Sequence, residues 1–174
     1  MAKTKKPEWW TVVFVVLLCF SVGIHLMQAE QQRQAAEDVL GNIEGSVAIV
    51  ADMMQNEDSM EDADETVNDA EQILIEAIGQ MRALGQFMPD QYSIDNDPAK
   101  ALQELDRYFV LYINESRTQE NFDALKDLSL VYSIYLKAEN MKDAEAFSQL
   151  YQDMQSQIRE EGYLSGTDFE EVSW

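Results

Sequence analysis

Carboxylates are by far the most numerous side chains in this sequence that could do chemistry. The chain has 33 Asp and Glu residues against 12 Lys and Arg, with one His and one Cys. An acidic run between residues 57 and 65 and the triplet Asp95-Asn96-Asp97 offer the oxygen ligands that Ca²⁺ prefers. Neither place has the turn glycine and closing glutamate of an EF-hand loop. We interpret both as solvated segments and predict no metal site.

Catalytic groups of the usual kinds are missing from most of the chain. The only histidine, His25, and the only cysteine, Cys19, both lie in an apolar stretch near the N-terminus. Elsewhere the common nucleophile and base pairs therefore cannot form, and neither can a disulfide. The sequence also has no glycine-rich phosphate loop. We predict a protein that is not an enzyme and carries no cofactor.

Aromatic side chains in the C-terminal half are the best candidates for binding. Tyrosine rings bury a large apolar area while the hydroxyl reaches water or a polar partner, so packing in the core is their common role. Rings that line a groove instead would act as binding hot spots. The candidate partner-binding residues are Tyr108, Tyr112, Tyr132, Tyr135, Phe147 and Tyr151.

Residues 9–27 have the composition of a transmembrane helix. The segment contains no Asp, Glu, Lys or Arg, and at about 1.5 Å rise per residue it matches a hydrocarbon core of roughly 30 Å. Tryptophans at its start would lie at the headgroup level beside lysines. The predicted membrane-interface residues are Trp9, Trp10, Lys3, Lys5 and Lys6.

The charges that flank this segment predict its orientation. Lysines precede it, whereas Glu30, Glu37 and Asp38 follow it with a single Arg33. This bias places residues 1–8 in the cytoplasm and the rest of the chain on the extracytoplasmic side. A cleaved signal peptide is the alternative, but the small residues at 21–23 lie inside the apolar run. A retained anchor is favoured.

Residues 28–88 are predicted to form two helices, arranged as a hairpin or stalk. Apolar residues recur at alternating steps of three and four, which is a heptad pattern. Ser59, with an acid three residues later, resembles a capping box that starts the second helix. The same stripes would also suit a coiled coil with another chain. The two stripes are Ala36, Leu40, Ile43, Val47, Val50 and Met54, and then Met60, Ala63, Val67, Ala70, Leu74, Ala77, Met81, Leu84 and Met88.

A linker at 89–97 separates this part from an aromatic head at 98–161. Asp97 followed by Pro98 predicts a helix start, with the aspartate as the cap. Gly162 is placed to end the last helix, and residues 162–174 are predicted to form a loose acidic tail. The three predicted helices of the head run to about Glu115, from about Glu120 to Ala138, and from about Lys142 to Glu160.

Within the head, residues 128–154 resemble one tetratricopeptide-type helix pair. Leu128, Val131 and Tyr135 match the large positions of the first helix in that family, and Ala144 matches the small position of the second. The resemblance implies a surface that binds a peptide or protein rather than a catalytic site. No second copy follows at the family period of about 34 residues, and an aromatic helical hairpin unrelated to this family is the alternative.

These patterns predict an all-α protein. An N-terminal transmembrane helix continues into an acidic antiparallel bundle or hairpin of about five further helices or fewer. The net charge of −21 excludes nucleic acid as a partner. We interpret this charge mainly as a feature that keeps the surface solvated, and binding of a basic partner is the alternative interpretation. We expect a membrane-anchored extracytoplasmic module for protein–protein interaction, such as an accessory or assembly subunit. The alternatives are a ligand-sensing bundle that signals through a partner and a homo-oligomeric coiled-coil structural protein.

Overall fold

The computed structural model describes residues 9–61, 63–88, 92 and 96–169. The described part of the chain is helical and contains no strand, which confirms the all-α prediction. The predicted interface lysines Lys3, Lys5 and Lys6, most of the predicted linker and the last five residues lie outside it. The described helices are α1 (Trp9–Asn56), α2 (Asp64–Phe87), α3 (Asp97–Asn114), α4 (Gln119–Tyr135), α5 (Ala138–Met141) and α6 (Ala144–Glu160).

The chain divides into two compact units, residues 1–36 and residues 37–174. In the first unit, every side chain from Phe14 to Ala35 is exposed, and Phe14, Leu17 and Phe20 are 66%, 63% and 70% exposed. By length and composition, α1 is the one helix of the described residues that could cross a membrane. An apolar helix at the N-terminus is therefore confirmed.

The second unit contains the second heptad stripe and all of the first except Ala36. All residues of the two stripes are buried except Met60 and Met88. Leu40, Ile43 and Val47 of α1 are 0% exposed, as are Leu74 and Ala77 of α2. Helix α2 packs on α3, which also packs on α4 and α6. From Glu37 onward, the residues predicted as a hairpin and those predicted as a head thus belong to one compact unit.

The predicted caps of α2 and α3 differ from those in the structure. The Ser59 cap is wrong, because α2 begins at Asp64 after Ala63 and has no side-chain cap. The segment before α2 is instead held by contacts with residues far away in sequence. The Lys126 ammonium lies 2.5 Å from the Glu57 carbonyl oxygen. At α3 the cap is Asn96, one residue before the predicted position, and its side chain accepts from the Ala99 N–H at 3.2 Å.

The helix predicted from about Glu120 to Ala138 ends early in the structure. Helix α4 ends at Tyr135, and the four-residue helix α5 precedes α6. Helix α6 begins after Asp143, whose carboxylate accepts from two backbone N–H groups at 3.0 Å. A short acidic side chain at this position is a strong helix start, which explains why α6 begins two residues after the predicted Lys142.

The end of α6 agrees with the sequence, but the segment after it does not. Gly162 has a φ of +70°, the left-handed conformation expected of a glycine that ends a helix. The predicted loose tail is wrong for residues 162–169, because Leu164 is 7% and Phe169 0% exposed. The centroid of the Phe169 ring lies 5.3 Å from the centroid of the Tyr108 ring. These two apolar side chains bury enough surface to hold the segment on the core.

Candidate functional site

The structure separates the six candidate aromatic residues into two groups. Tyr135 and Tyr151 are partly exposed and can reach a ligand or partner. The other four pack in the core and cannot contact a partner in this conformation. Those four are Tyr108, Tyr112, Tyr132 and Phe147, each no more than 1% exposed.

A buried carboxylate lies among these tyrosines. Glu104 of α3 is 4% exposed. Its Oε2 accepts a hydrogen bond from the Tyr151 hydroxyl at 2.9 Å and another from the Gln155 Nε2 at 2.7 Å. Both donors come from α6, so this carboxylate joins α3 to α6. A buried acid is stable only where such donors compensate for its lost hydration.

Nothing in the composition distinguishes Glu104 from the other acids. A weak signal is its position one turn before Tyr108 and next to Leu105, on the inward face of α3. Its partners are about 50 residues away in sequence. Local periodicity therefore could not reveal the cluster.

The tyrosine hydroxyls around Glu104 are held in their protonated form. Burial is the main cause that raises the pKa of Tyr108, Tyr132 and Tyr151, and the negative charge of Glu104 raises each of them further. Protonated hydroxyls remain hydrogen-bond donors, which is the form that a neighbouring carboxylate requires. The tyrosine hydroxyls of the cluster are therefore suited to donating hydrogen bonds to the Glu104 carboxylate.

A pocket of about 400 Å³ opens beside this cluster. Four of its lining residues lie on α3 at positions that share one face of a helix, and α6 contributes the fifth. The pocket brings two cationic side chains, one carboxylate, one amide and one aromatic ring together. The lining residues are Lys100, Gln103, Glu104, Arg107 and Tyr151.

The exposed apolar residues of the second unit include a pair on α4. Leu130 is 44% and Ile134 55% exposed, and the two lie one helical turn apart. Asp123 and Asp127 are exposed on the same helix in the turns before them. This arrangement places an apolar pair next to negative charge on one surface.

The carboxylate of Glu44 in α1 reaches the turn between α4 and α5. It accepts a hydrogen bond from the backbone N–H of Ala138 at 2.9 Å and lies 3.5 Å from the Lys137 ammonium. Two helical turns before Glu44, the Glu37 carboxylate lies 3.6 Å from the Lys142 ammonium. Helix α1 is thereby connected by polar contacts to residues 137–142.

The acidic run between residues 57 and 65 makes contacts within the protein. The Glu57 carboxylate accepts from the Thr66 hydroxyl, and both Asp64 oxygens accept from the Arg117 guanidinium at 2.7 Å. Among the residues that the structure describes, no group of three or more His, Cys, Asp or Glu side chains is arranged to hold a metal ion.

At the start of α1, Trp9 is 71% exposed, whereas the side chain of Trp10 lies outside the described residues.

No protein-family model matches the chain, and no curated protein or solved structure shows significant similarity to it. The fold and the chemistry of its surface are thus the basis for a functional proposal.

Proposed function

We propose that the protein is a single-pass membrane protein whose acidic helical domain binds a protein partner on the extracytoplasmic side. Its role would be that of an accessory or assembly subunit in a membrane complex. The observation that carries the proposal is the exposed apolar helix from Phe14 to Met27. A continuous apolar surface of this kind is unfavourable in water and is covered in a bilayer.

The orientation rests on the distribution of lysines. The three lysines before the apolar segment and the acids after it favour a cytoplasmic N-terminus. The mass of the mature chain tests the retained anchor: a chain that begins upstream of Trp9 supports it, whereas a start near Ile24 or Glu30 contradicts it.

The surface of α4 is the best candidate for partner contact. Leu130 and Ile134 supply apolar contact area, and the neighbouring Asp123 and Asp127 favour a partner with basic groups around an apolar patch. The buried tyrosines contribute rigidity to this surface, not contacts.

Affinity purification of the full chain from native membranes in mild detergent tests this function. A partner in stoichiometric amount should co-purify with the unaltered chain and be lost from the double variant Leu130→Ser/Ile134→Ser. Ile75→Ser is a matched control, because Ile75 is 45% exposed on a different helix. A chain that purifies alone under these conditions contradicts the proposal.

A homo-oligomeric coiled coil has less support. The stripe that would form its seam, including Leu40, Ile43 and Val47, is 0% exposed within the chain. A seam with a second chain would have to displace this packing.

Ligand sensing is a second function, and the pocket beside Glu104 favours it. Its volume of about 400 Å³ falls in the range of small-molecule sites. In this role the domain would signal through its protein partner. Ligand-dependent recruitment of the co-purifying partner tests this role. Unchanged recruitment at saturating ligand would contradict it.

A further inference from the structure

Within the second unit, the C-terminal part of α1 lies alongside α4 in the antiparallel direction. The Glu44 carboxylate accepts from the Ala138 N–H at 2.9 Å, just beyond the end of α4. At the other end, the Gln55 side-chain amide donates to the Lys126 carbonyl oxygen at 3.0 Å. At about 1.5 Å rise per residue, these two contacts lie about 17 Å apart along α1. The two helices therefore run side by side for about three turns.

Small and apolar side chains are exposed along both helices between these contacts. On α1, Ala48 is exposed on the face that makes both contacts, four residues after the first and seven before the second. On α4, Leu130 and Ile134 follow Lys126 by one and two turns and are 44% and 55% exposed. Because Ala48 is small, a further helix can approach α1 closely at this point. We call the surface formed by Ala48, Leu130 and Ile134 the α1–α4 groove.

Negative charge borders the α1–α4 groove. Asp52 on α1 and both Asp123 and Asp127 on α4 are exposed. Burial raises the pKa of Asp127, the charge of Asp123 one turn away raises it further, and Lys126 partly offsets this. Like charges one turn apart on a helix repel each other. A cationic group placed beside the two aspartates of α4 would relieve that repulsion.

On the basis of the partner-binding function above, we propose that the α1–α4 groove binds one basic amphipathic helix of the partner protein. The apolar stripe of that helix would lie on Ala48, Leu130 and Ile134, and its Lys or Arg side chains would lie towards the bordering aspartates. A helix that places its apolar face in a groove is a recurrent mode of recognition. The length of about 17 Å accommodates about 11 residues of a helix.

A second copy of this chain fits the α1–α4 groove less well than a basic helix does. The chain has a net charge of −21, so two copies repel each other. A helix that carries Lys or Arg beside an apolar stripe instead compensates the charge of the surface on which it binds.

Fluorescence anisotropy with the full chain in phosphatidylcholine nanodiscs tests the inference. The probe is a labelled synthetic peptide of about 18 residues, with leucine along one helical face and lysine on the flanks of that face. Empty nanodiscs give the background. The peptide should bind at least about tenfold more tightly than a peptide of the same composition without the stripe, and than one with glutamate at each lysine position.

Variants of Ala48 test whether the peptide contacts both helices. Ala48→Trp fills the α1–α4 groove and Ala48→Lys adds a like charge, so each should weaken binding about tenfold. Ala83→Trp and Ala83→Lys, at an exposed position on α2, are the matched controls and should bind as the unaltered chain does. Leu130→Ser/Ile134→Ser should also weaken binding. An unchanged circular dichroism spectrum checks that each variant folds.

Equal binding of the three peptides would overturn the basic amphipathic class of the ligand. Unchanged binding by both Ala48 variants would overturn the groove. If Leu130→Ser/Ile134→Ser still loses the partner that co-purifies from membranes, the proposed function stands and only the helix in the groove fails. Self-association of the chain that this double variant abolishes, measured by analytical ultracentrifugation, would make a second copy the occupant and overturn the inference.

Discussion

The carboxylate of Glu44 accepts a hydrogen bond from the backbone N–H of Ala138, 94 residues away, at 2.9 Å. Helix α5 begins at Ala138, and the residue before it, Lys137, provides no side-chain cap. Glu44 thus takes the place of the missing cap from a different helix. This contact, which lies within the second unit, joins Glu44 of α1 to the start of α5.

Removal of this contact should loosen residues 137–142. We expect Glu44→Ala to lower the free energy of unfolding by about 1 kcal/mol, the usual cost of a lost helix cap, and to speed amide hydrogen exchange at Ala138. Glu37→Ala is the control. The side chains of its ion pair with Lys142 are 40% and 46% exposed, so the loss of this pair should cost less than about 0.5 kcal/mol. Equal exchange rates in the two variants would contradict this role.

The hydrogen bond from Tyr151 to Glu104 should contribute more to stability than a similar bond to a neutral acceptor. Tyr151→Phe should cost about 1.5–3 kcal/mol, since the acceptor is a buried carboxylate. Tyr135→Phe removes a 3.0 Å bond to the neutral Gln157 and should cost about 1 kcal/mol. Urea unfolding of the full chain in detergent micelles measures both. A smaller loss for Tyr151→Phe would contradict the account of the Glu104 cluster.

The parts of the fold that could be predicted from the sequence depend on local spacing. The α1 stripe through Leu40, Ile43 and Val47 recurs every three or four residues, so one face of the helix had to be apolar, and those residues are 0% exposed. The end of α6 at Gly162 follows from the conformational freedom of a single residue.

The candidate site could not be predicted, because its parts meet only through the tertiary fold. Glu104 finds Tyr151 and Gln155 at separations of 47 and 51 residues. Asn121 finds Asp168 at a separation of 47. Nothing in the spacing of the acidic residues distinguishes Glu104 and Asp168 from the many others. The sequence indicates that the tyrosines are candidates for binding, but it does not show which of them the core covers.

Asp106 should destabilise the fold at neutral pH. Its Oδ1 is buried without a hydrogen-bond partner in the described part of the chain. Burial is the main cause that raises its pKa, the charge of Glu71 adds to this, and Arg82 partly offsets it. A raised pKa means that the charged form is penalised above that pKa, and that the penalty disappears once the pH falls below the ordinary carboxyl range.

Asp106→Asn, which mimics the neutral form, should therefore stabilise the protein at pH 7. After allowance for solvent screening we expect a gain on the order of 0.5–1 kcal/mol, and the gain should shrink as the pH falls towards about 4. The exposed Asp52→Asn on α1 is the control. Thermal unfolding across this pH range measures the effect. A loss of stability at pH 7 would contradict it.

Phe169 should hold the segment after α6 on the core. Because its ring is 0% exposed and packs on Tyr108, Phe169→Ala should cost about 3 kcal/mol and expose residues 162–169 to proteases. Phe169→Leu should retain most of the stability. Mass spectrometry after limited proteolysis locates the cleavage. Unchanged protection in Phe169→Ala would contradict the packing described here.

The same segment should loosen in acid. Hydrogen bonds from Ser116 and Asn121 lower the pKa of Asp168. A lowered pKa stabilises the folded form above the ordinary carboxyl range, and this stabilisation is lost as the pH falls through the lowered value. Hydrogen exchange in residues 162–169 should therefore increase below about pH 4. Asp168→Asn should remove that pH dependence, and a dependence that persists in the variant would implicate another group.

The location of the domain is tested most directly by cysteine labelling of the full chain in intact cells. Cys19 is the only cysteine, so Cys19→Ser gives a background in which Gln149→Cys, at an exposed position on α6, is the single target. A membrane-impermeant maleimide should label this cysteine in intact cells. Where the cells have an outer membrane, spheroplasts are used instead. The labelled chain should stay in the membrane after carbonate extraction. Labelling only after lysis, or a labelled chain released by carbonate, would contradict an anchored extracytoplasmic domain.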